Sequence, residues 1–312
     1  MKNIYFIHVI FLSFFLASCT SSDDETLVND GERKLRHLTI TQVENDATTR
    51  SLFDLTRASL TENEADNTLS ASWTARDELS LCILTDLGSP ISSIGTLTTL
   101  SPGETSAFST DIVCGNGDYI AVVYPNNNVN ITPTSNDVTF ILNLSGQDGT
   151  LGTLATNYHF IYGLSKITSV TDNTASATIK MNSLLTICKF SFVDESDNPI
   201  FIKDLFICYG TSFGDFPKNT YPTSASITLS ANSQSNTVNA NGILDQNDNI
   251  LTIRSNGLNE IYVALLPTGE RDFIFKVIND NGTYEGRATA ILNAGEFVPA
   301  PNLKLTKQTN NY

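Results

Sequence analysis

Histidine is scarce in this chain: there are three in 312 residues, only His37 and His159 lie beyond residue 18, and none follows His159. No HExxH stretch or paired Cys/His spacing occurs, so the sequence offers no zinc ligand set. Gly210-Thr211-Ser212-Phe213-Gly214 fits the GxSxG elbow of a nucleophilic serine. That elbow needs a helix after the turn and a later histidine. Here Asp215-Phe216-Pro217 stops any helix, and the histidine is missing. Gly115-Asn116-Gly117 lacks the third glycine and the helix of a dinucleotide fingerprint and reads as a hairpin turn before a strand. Asp245-Gln246-Asn247-Asp248-Asn249 starts like a calcium loop, but Ile250 stands where that loop needs glycine and Asn256 where it needs a bidentate glutamate; it reads as a turn. The acidic residues cluster in Asn/Asp-rich turns, where turn chemistry alone puts them. No catalytic residue, metal site or cofactor is expected, and the chain is not read as an enzyme.

Basic residues are also few. Lys and Arg total 18 against 33 Asp and Glu, a net charge of −15, which repels phosphate backbones and excludes nucleic acid as an expected partner. There is one tryptophan, Trp73. Past the N-terminal leader, no segment keeps a 3.6-residue apolar period for three turns.

What is present is Thr, Ser, Asn and β-branched residues with turn signals at short intervals, and this pattern makes an all-β chain. Arg36-His37-Leu38-Thr39-Ile40-Thr41-Gln42-Val43 alternates as a strand, with Leu38, Ile40 and Gln42 on one face and His37, Thr39, Thr41 and Val43 on the other. From Glu44 to Asn67 a long polar stretch carrying Arg50 and Arg57 reads as an exposed loop open to proteases. Strand signals then run to Tyr162, where a first domain closes near Gly163, and resume from Ala175 to the C-terminus. Phe273–Ile278 and Tyr284–Leu292 flank Asp280-Asn281-Gly282, whose Asn-Gly is expected to supply the positive φ angles of a type I′ hairpin turn. Ser183–Leu185 leaves room for one helical turn.

The N-terminus is a leader of secretory type. Lys2 precedes an apolar run from Ile4 to Leu16, too short for a membrane span of about 20 residues. Leu16-Ala17-Ser18-Cys19 resembles the bacterial lipobox, in which the cysteine takes a diacylglycerol and becomes the acylated N-terminus. Loss of the leader removes Lys2 and leaves 17 basic residues against 33 acidic ones. Thr20-Ser21-Ser22-Asp23-Asp24-Glu25 resembles the acidic signal that sends such lipoproteins to the outer face of the outer membrane; it is equally compatible with a solvated tether. The expected division is a signal peptide at 1–18, an acidic tether at 19–35, one β-domain at 36–165 and a second at 166–312. Cys82, Cys114, Cys188 and Cys208 remain after Cys19, an even number without CxxC spacing. Disulfides are open to them, but three of the four sit in apolar strand-like runs where cysteine packs as a small hydrophobe.

Taken in order, these features are similar to the fimbrillins, the fimbrial subunit lipoproteins of Bacteroides-type bacteria. The similarity spans nearly the whole chain after Cys19. It rests on the lipobox, one early strand, Thr56-Arg57-Ala58 in the loop, and Trp73 followed by Arg76-Asp77-Glu78-Leu79-Ser80-Leu81. It continues through Gly117-Asp118-Tyr119, Val123-Tyr124-Pro125 and His159-Phe160-Ile161-Tyr162-Gly163. Further on come Asn182 to Phe190, Tyr262 to Pro267 and Leu292-Asn293-Ala294-Gly295-Glu296-Phe297.

The resemblance implies two transthyretin-like Greek-key β-sandwich domains in tandem. It also implies a subunit of a surface fimbria that supports adhesion and polymerises with other fimbrial subunits. In that family a trypsin-like protease cuts after an arginine in the loop behind the first strand, the strand leaves, and a strand of the next subunit fills its groove. By position Arg57 is the first cleavage candidate and Arg50 the second, and Leu38, Ile40 and Gln42 mark the displaced strand. The implied location is the outer membrane surface, through the lipid on Cys19 before maturation, and then the fimbrium. A surface glycan-binding lipoprotein shares the lipobox and the β-fold; exposed aromatic platforms would set it apart.

Overall fold

The computed structural model describes residues 32–43, 59–85, 93–134, 136–210, 221–231 and 250–308. Among them the strands run, in chain order, β1 (Lys34–Val43), β2 (Ser59–Asn63), β3 (Thr68–Ser72), β4 (Glu78–Leu84), β5 (Ser93–Thr99), β6 (Ala107–Cys114), β7 (Tyr119–Tyr124), β8 (Val129–Pro133) and β9 (Asp137–Asn143). A short helix, α1 (Leu151–Asn157), precedes β10 (Ile161–Lys166), β11 (Ser169–Val170), β12 (Thr174–Lys180) and β13 (Asn182–Ser183). Then come β14 (Thr186–Val193), β15 (Ile202–Tyr209), β16 (Ser224–Ser230), β17 (Leu251–Leu258), β18 (Glu260–Leu265), β19 (Thr268–Asn279), β20 (Gly282–Leu292), β21 (Phe297–Lys304) and β22 (Thr306–Lys307). The all-β reading holds.

The largest sheet has nine strands in the order β11-β12-β1-β6-β5-β4-β7-β10-β13. Its central strands are apolar on both faces. In β4, Leu79, Leu81 and Ile83 enter one cluster while Cys82 and Leu84 enter another, and β7 divides in the same way. The sheet curls far enough for β10 to lie against β12. Gly163 makes that approach possible, since a Cβ there would come within 2.8 Å of the Ile179 side chain and of the Lys180 carbonyl.

Other sheets carry the orders β18-β14-β21, β17-β15-β19-β20-β22, β16-β9-β8 and β2-β3. Strand pairing crosses the expected division at 165/166. That position falls inside β10, β11 to β13 stay in the nine-stranded sheet, and β16 pairs with β9 from Ser224↔Asn143 to Ser230↔Asp137. The larger cluster accordingly mixes both parts of the chain, with Phe140 and Leu142 beside Ile227, Phe190 and Phe275.

Several local expectations need correction. Ser59–Asn63, read as loop, is β2, paired with β3. β1 starts at Lys34, inside the stretch expected as tether. Gly115-Asn116-Gly117 turns the chain between β6 and β7, but these strands are not neighbours, so it is no hairpin. The hairpin at 280 does form, with Asn279↔Gly282 as its last pair; its positive φ lies on Gly282 (129°) alone, so the turn is not type I′. Ser183–Leu185 forms no helix, whereas α1, unread in the sequence, is capped by the Thr150 hydroxyl, which accepts from the Thr153 N–H at 3.3 Å. Ser212 and Asp245–Asn249 lie outside the described residues.

Candidate functional site

The residues marked as a displaced strand meet in one place, a slot inside the nine-stranded sheet. β1 alternates because its sequence does: Arg36, Leu38, Ile40 and Gln42 are buried while Leu35, His37, Thr41 and Val43 face outward. β1 is an interior strand of the sheet, not an edge strand. It pairs antiparallel with β6, from Lys34↔Cys114 to Thr41↔Ala107, and parallel with β12, from His37↔Thr174 to Val43↔Lys180. A parallel neighbour is delivered by a long crossover, here from far along the chain, and no local pattern announces it. Leu38 and Ile40 stand opposite Ala175 and Ala177 on one side, and Ile40 opposite Phe108 on the other.

Both ends of the buried face are polar. Arg36 is only 2 % exposed and donates to the Thr171 carbonyl at 2.8 Å, to the Glu32 carbonyl at 3.0 Å and to the Cys114 carbonyl. At the other end the Trp73 indole N–H donates to the Gln42 side-chain oxygen at 2.8 Å. Trp73 is itself buried, with Phe108 and Tyr124 edge-on at 4.8 and 5.4 Å. Before the strand, Arg33 pairs with Asp118 at 3.0 Å. Burial raises the Asp118 carboxyl above its ordinary range, opposed by the Gly115 N–H and by Arg33. Lys34 reaches Asp172 at 2.6 Å, and on the outward face His37 reaches Asp111 at 2.8 Å.

Arg50, Arg57 and Cys19 lie outside the described residues. The hairpin directly C-terminal to the candidate cuts is well fastened. Glu62, on β2, accepts from Lys189 at 3.0 Å and from the Tyr262 hydroxyl, tying the β2-β3 hairpin to the β14-β18 pair. Burial works against the Lys189 ammonium, but hydrogen bonds to Glu62 and Glu260 hold its pKa above the usual lysine value. A depression of about 250 Å³ beside this knot is lined by Glu62, Glu64, Lys189, Glu260, Pro299 and Pro301. Near the C-terminus β21 is built into the fold, parallel to β14, and Leu305 after it is buried.

All four described cysteines are free and buried. Burial pushes the thiols of Cys82 and Cys188 up to about 12 and that of Cys208 up to about 11, so none is a reactive thiolate at neutral pH. Cys114 stands opposite Lys34 in the β1-β6 ladder. In a Cys19→Ala chain, Ellman's reagent at pH 8 should find almost no thiol in the folded protein and all four once it is unfolded in urea. Fast labelling of the folded protein would show that these thiols are not buried.

Among the described residues no group of three or more His, Cys, Asp or Glu could hold a metal ion, and no helix is long and apolar enough to cross a membrane. No family model matches the chain, and no curated protein matches it. The chain is similar to adhesion and fimbrial proteins of Bacteroides and Porphyromonas. A Bacteroides ovatus protein provisionally named a cell adhesion protein has 11% identity and a TM-score of 0.48, over 89% of this chain and 97% of that one. The tip fimbrial protein Mfa3 of Porphyromonas gingivalis has 8% identity and a TM-score of 0.35, over 81% of each chain. A Bacteroides thetaiotaomicron protein provisionally named polysaccharide-binding has 9% identity and a TM-score of 0.37, over 80% of this chain and 78% of that one.

Proposed function

We propose that this chain is a structural subunit of a cell-surface fimbria that supports adhesion and is not an enzyme. It is made as a lipoprotein precursor acylated at Cys19 and carried to the outer membrane surface. A trypsin-like protease cuts after Arg57 or Arg50, β1 leaves, and a strand of another subunit takes its place. The observation that supports this reading is the seat of β1. It is an interior strand hydrogen-bonded on both sides, and the chain runs on from Val43 to Ser59 through a stretch that carries Arg50 and Arg57. Its loss opens two strand edges at once beside an apolar slot, and a donated strand satisfies both. The fastening of β2-β3 through Glu62 leaves the remaining fold anchored right behind the cut.

The test is electron microscopy of cells with and without the chain, together with fatty-acid labelling. Surface fibres should be lost without it. Cys19→Ala should abolish the label and leave the protein soluble in the periplasm. Unchanged fibres in the deletion, or continued labelling of the variant, would remove the fimbrial or the lipoprotein part respectively.

A further inference from the structure

The slot is not a uniformly apolar groove. Its two ends carry hydrogen-bonding groups that the middle lacks, and β1 meets each with a side chain of matching chemistry. At one end the carbonyls of Cys114 and Thr171 accept from the buried Arg36 guanidinium. At the other, the buried Trp73 N–H is taken by Gln42. Between them Leu38 and Ile40 face Ala175 and Ala177 across β12. A slip of one residue would turn every buried side chain outward. A slip of two would set Ile40 against the Trp73 N–H or Leu38 against the two carbonyls, leaving buried polar groups without partners.

We infer that the β1 slot selects its occupant by a polar clamp: it takes an extended segment in which a cationic donor precedes a hydrogen-bond acceptor by six residues, with two aliphatic residues at the alternate positions between. This inference rests on the strand-replacement reading above and adds which strand is accepted and in what register. The apolar middle supplies adhesion to the slot, and the two polar ends supply discrimination. A strand that is aliphatic throughout fills the volume but strands Trp73 and the two carbonyls. A strand with the polar ends exchanged puts an acceptor against acceptors and a donor against a donor.

The experiment uses the full chain cut with trypsin behind β1, and a fluorescent peptide of the sequence Lys34–Val43. Exchange into the cut protein is followed by anisotropy. Companion peptides carry Arg36→Met, Gln42→Leu, both changes, or Thr39→Ser on the outward face. The parent and Thr39→Ser peptides should exchange equally. Each single change at a clamp position should weaken binding about tenfold, the order expected for one buried hydrogen-bonding group left unpaired. The double change should weaken it further. If the Arg36→Met and Gln42→Leu peptides bind as tightly as the parent, the clamp is wrong while strand replacement stands. If no peptide exchanges, the parent included, strand replacement itself fails and takes the clamp with it.

Discussion

Protein cut after Arg57 should form oligomers that survive mild detergent, whereas Arg50→Ala plus Arg57→Ala should stay monomeric under the same protease. The driving force lies in what β1 covers. Leu38 and Ile40 are fully buried, and their transfer from water contributes roughly 3–6 kcal/mol. With the strand gone that surface is wet, and β6 and β12 each present a row of unpaired backbone groups. Since folded proteins are held by only about 5–15 kcal/mol in total, a subunit that has lost both terms cannot remain soluble and unpartnered. It either finds a replacement strand or aggregates; detergent resistance, together with N-terminal sequencing of the cut product, separates ordered assembly from aggregation. If the double variant polymerises as readily as the parent, a cut in this segment is not the trigger.

Trp73→Ala should be the most damaging single substitution at the slot, lowering the unfolding free energy by about 3–5 kcal/mol in urea titrations. The indole fills the space between Phe108 and Tyr124, its backbone pairs with Gly103, and its N–H holds Gln42. Removing it opens a cavity and releases one end of β1 together. Trp73→Phe restores most of the volume but not the donor, so its cost should be smaller, on the order of the 1–3 kcal/mol of an unpaired buried polar group. Near-equal stability of Trp73→Ala and the parent would mean that the indole is not the keystone its burial implies.

Much of the slot was legible in the sequence, and the limits are informative. Alternation alone placed Leu38, Ile40 and Gln42 together on one face, because a strand's side chains change face with every residue and the pattern is local. Arg36 was not read as part of that face. An arginine is seldom fully buried, and its partners are backbone carbonyls from Cys114 and Thr171, which have no side-chain signature. The parallel neighbour β12 was hidden for a similar reason. Its Ala175, Ala177 and Ile179 alternate clearly, but alternation says which face is buried and not which strand lies alongside. The helix α1 escaped notice because seven residues are too few to establish a period, and its cap is a threonine in a chain full of threonines.

The position of β1 between two neighbours also bears on mechanics. Ladder hydrogen bonds run across the strand, not along it. A strand donated by one subunit into the slot of the next would carry any pull between them along its own length. Both ladders would then be loaded in shear, so that many bonds share the force and must give way together. A strand at a sheet edge has one ladder, which can be peeled open one bond at a time. An interior slot of this kind makes a joint suited to tension, and a chain of such joints would behave as a cable under flow.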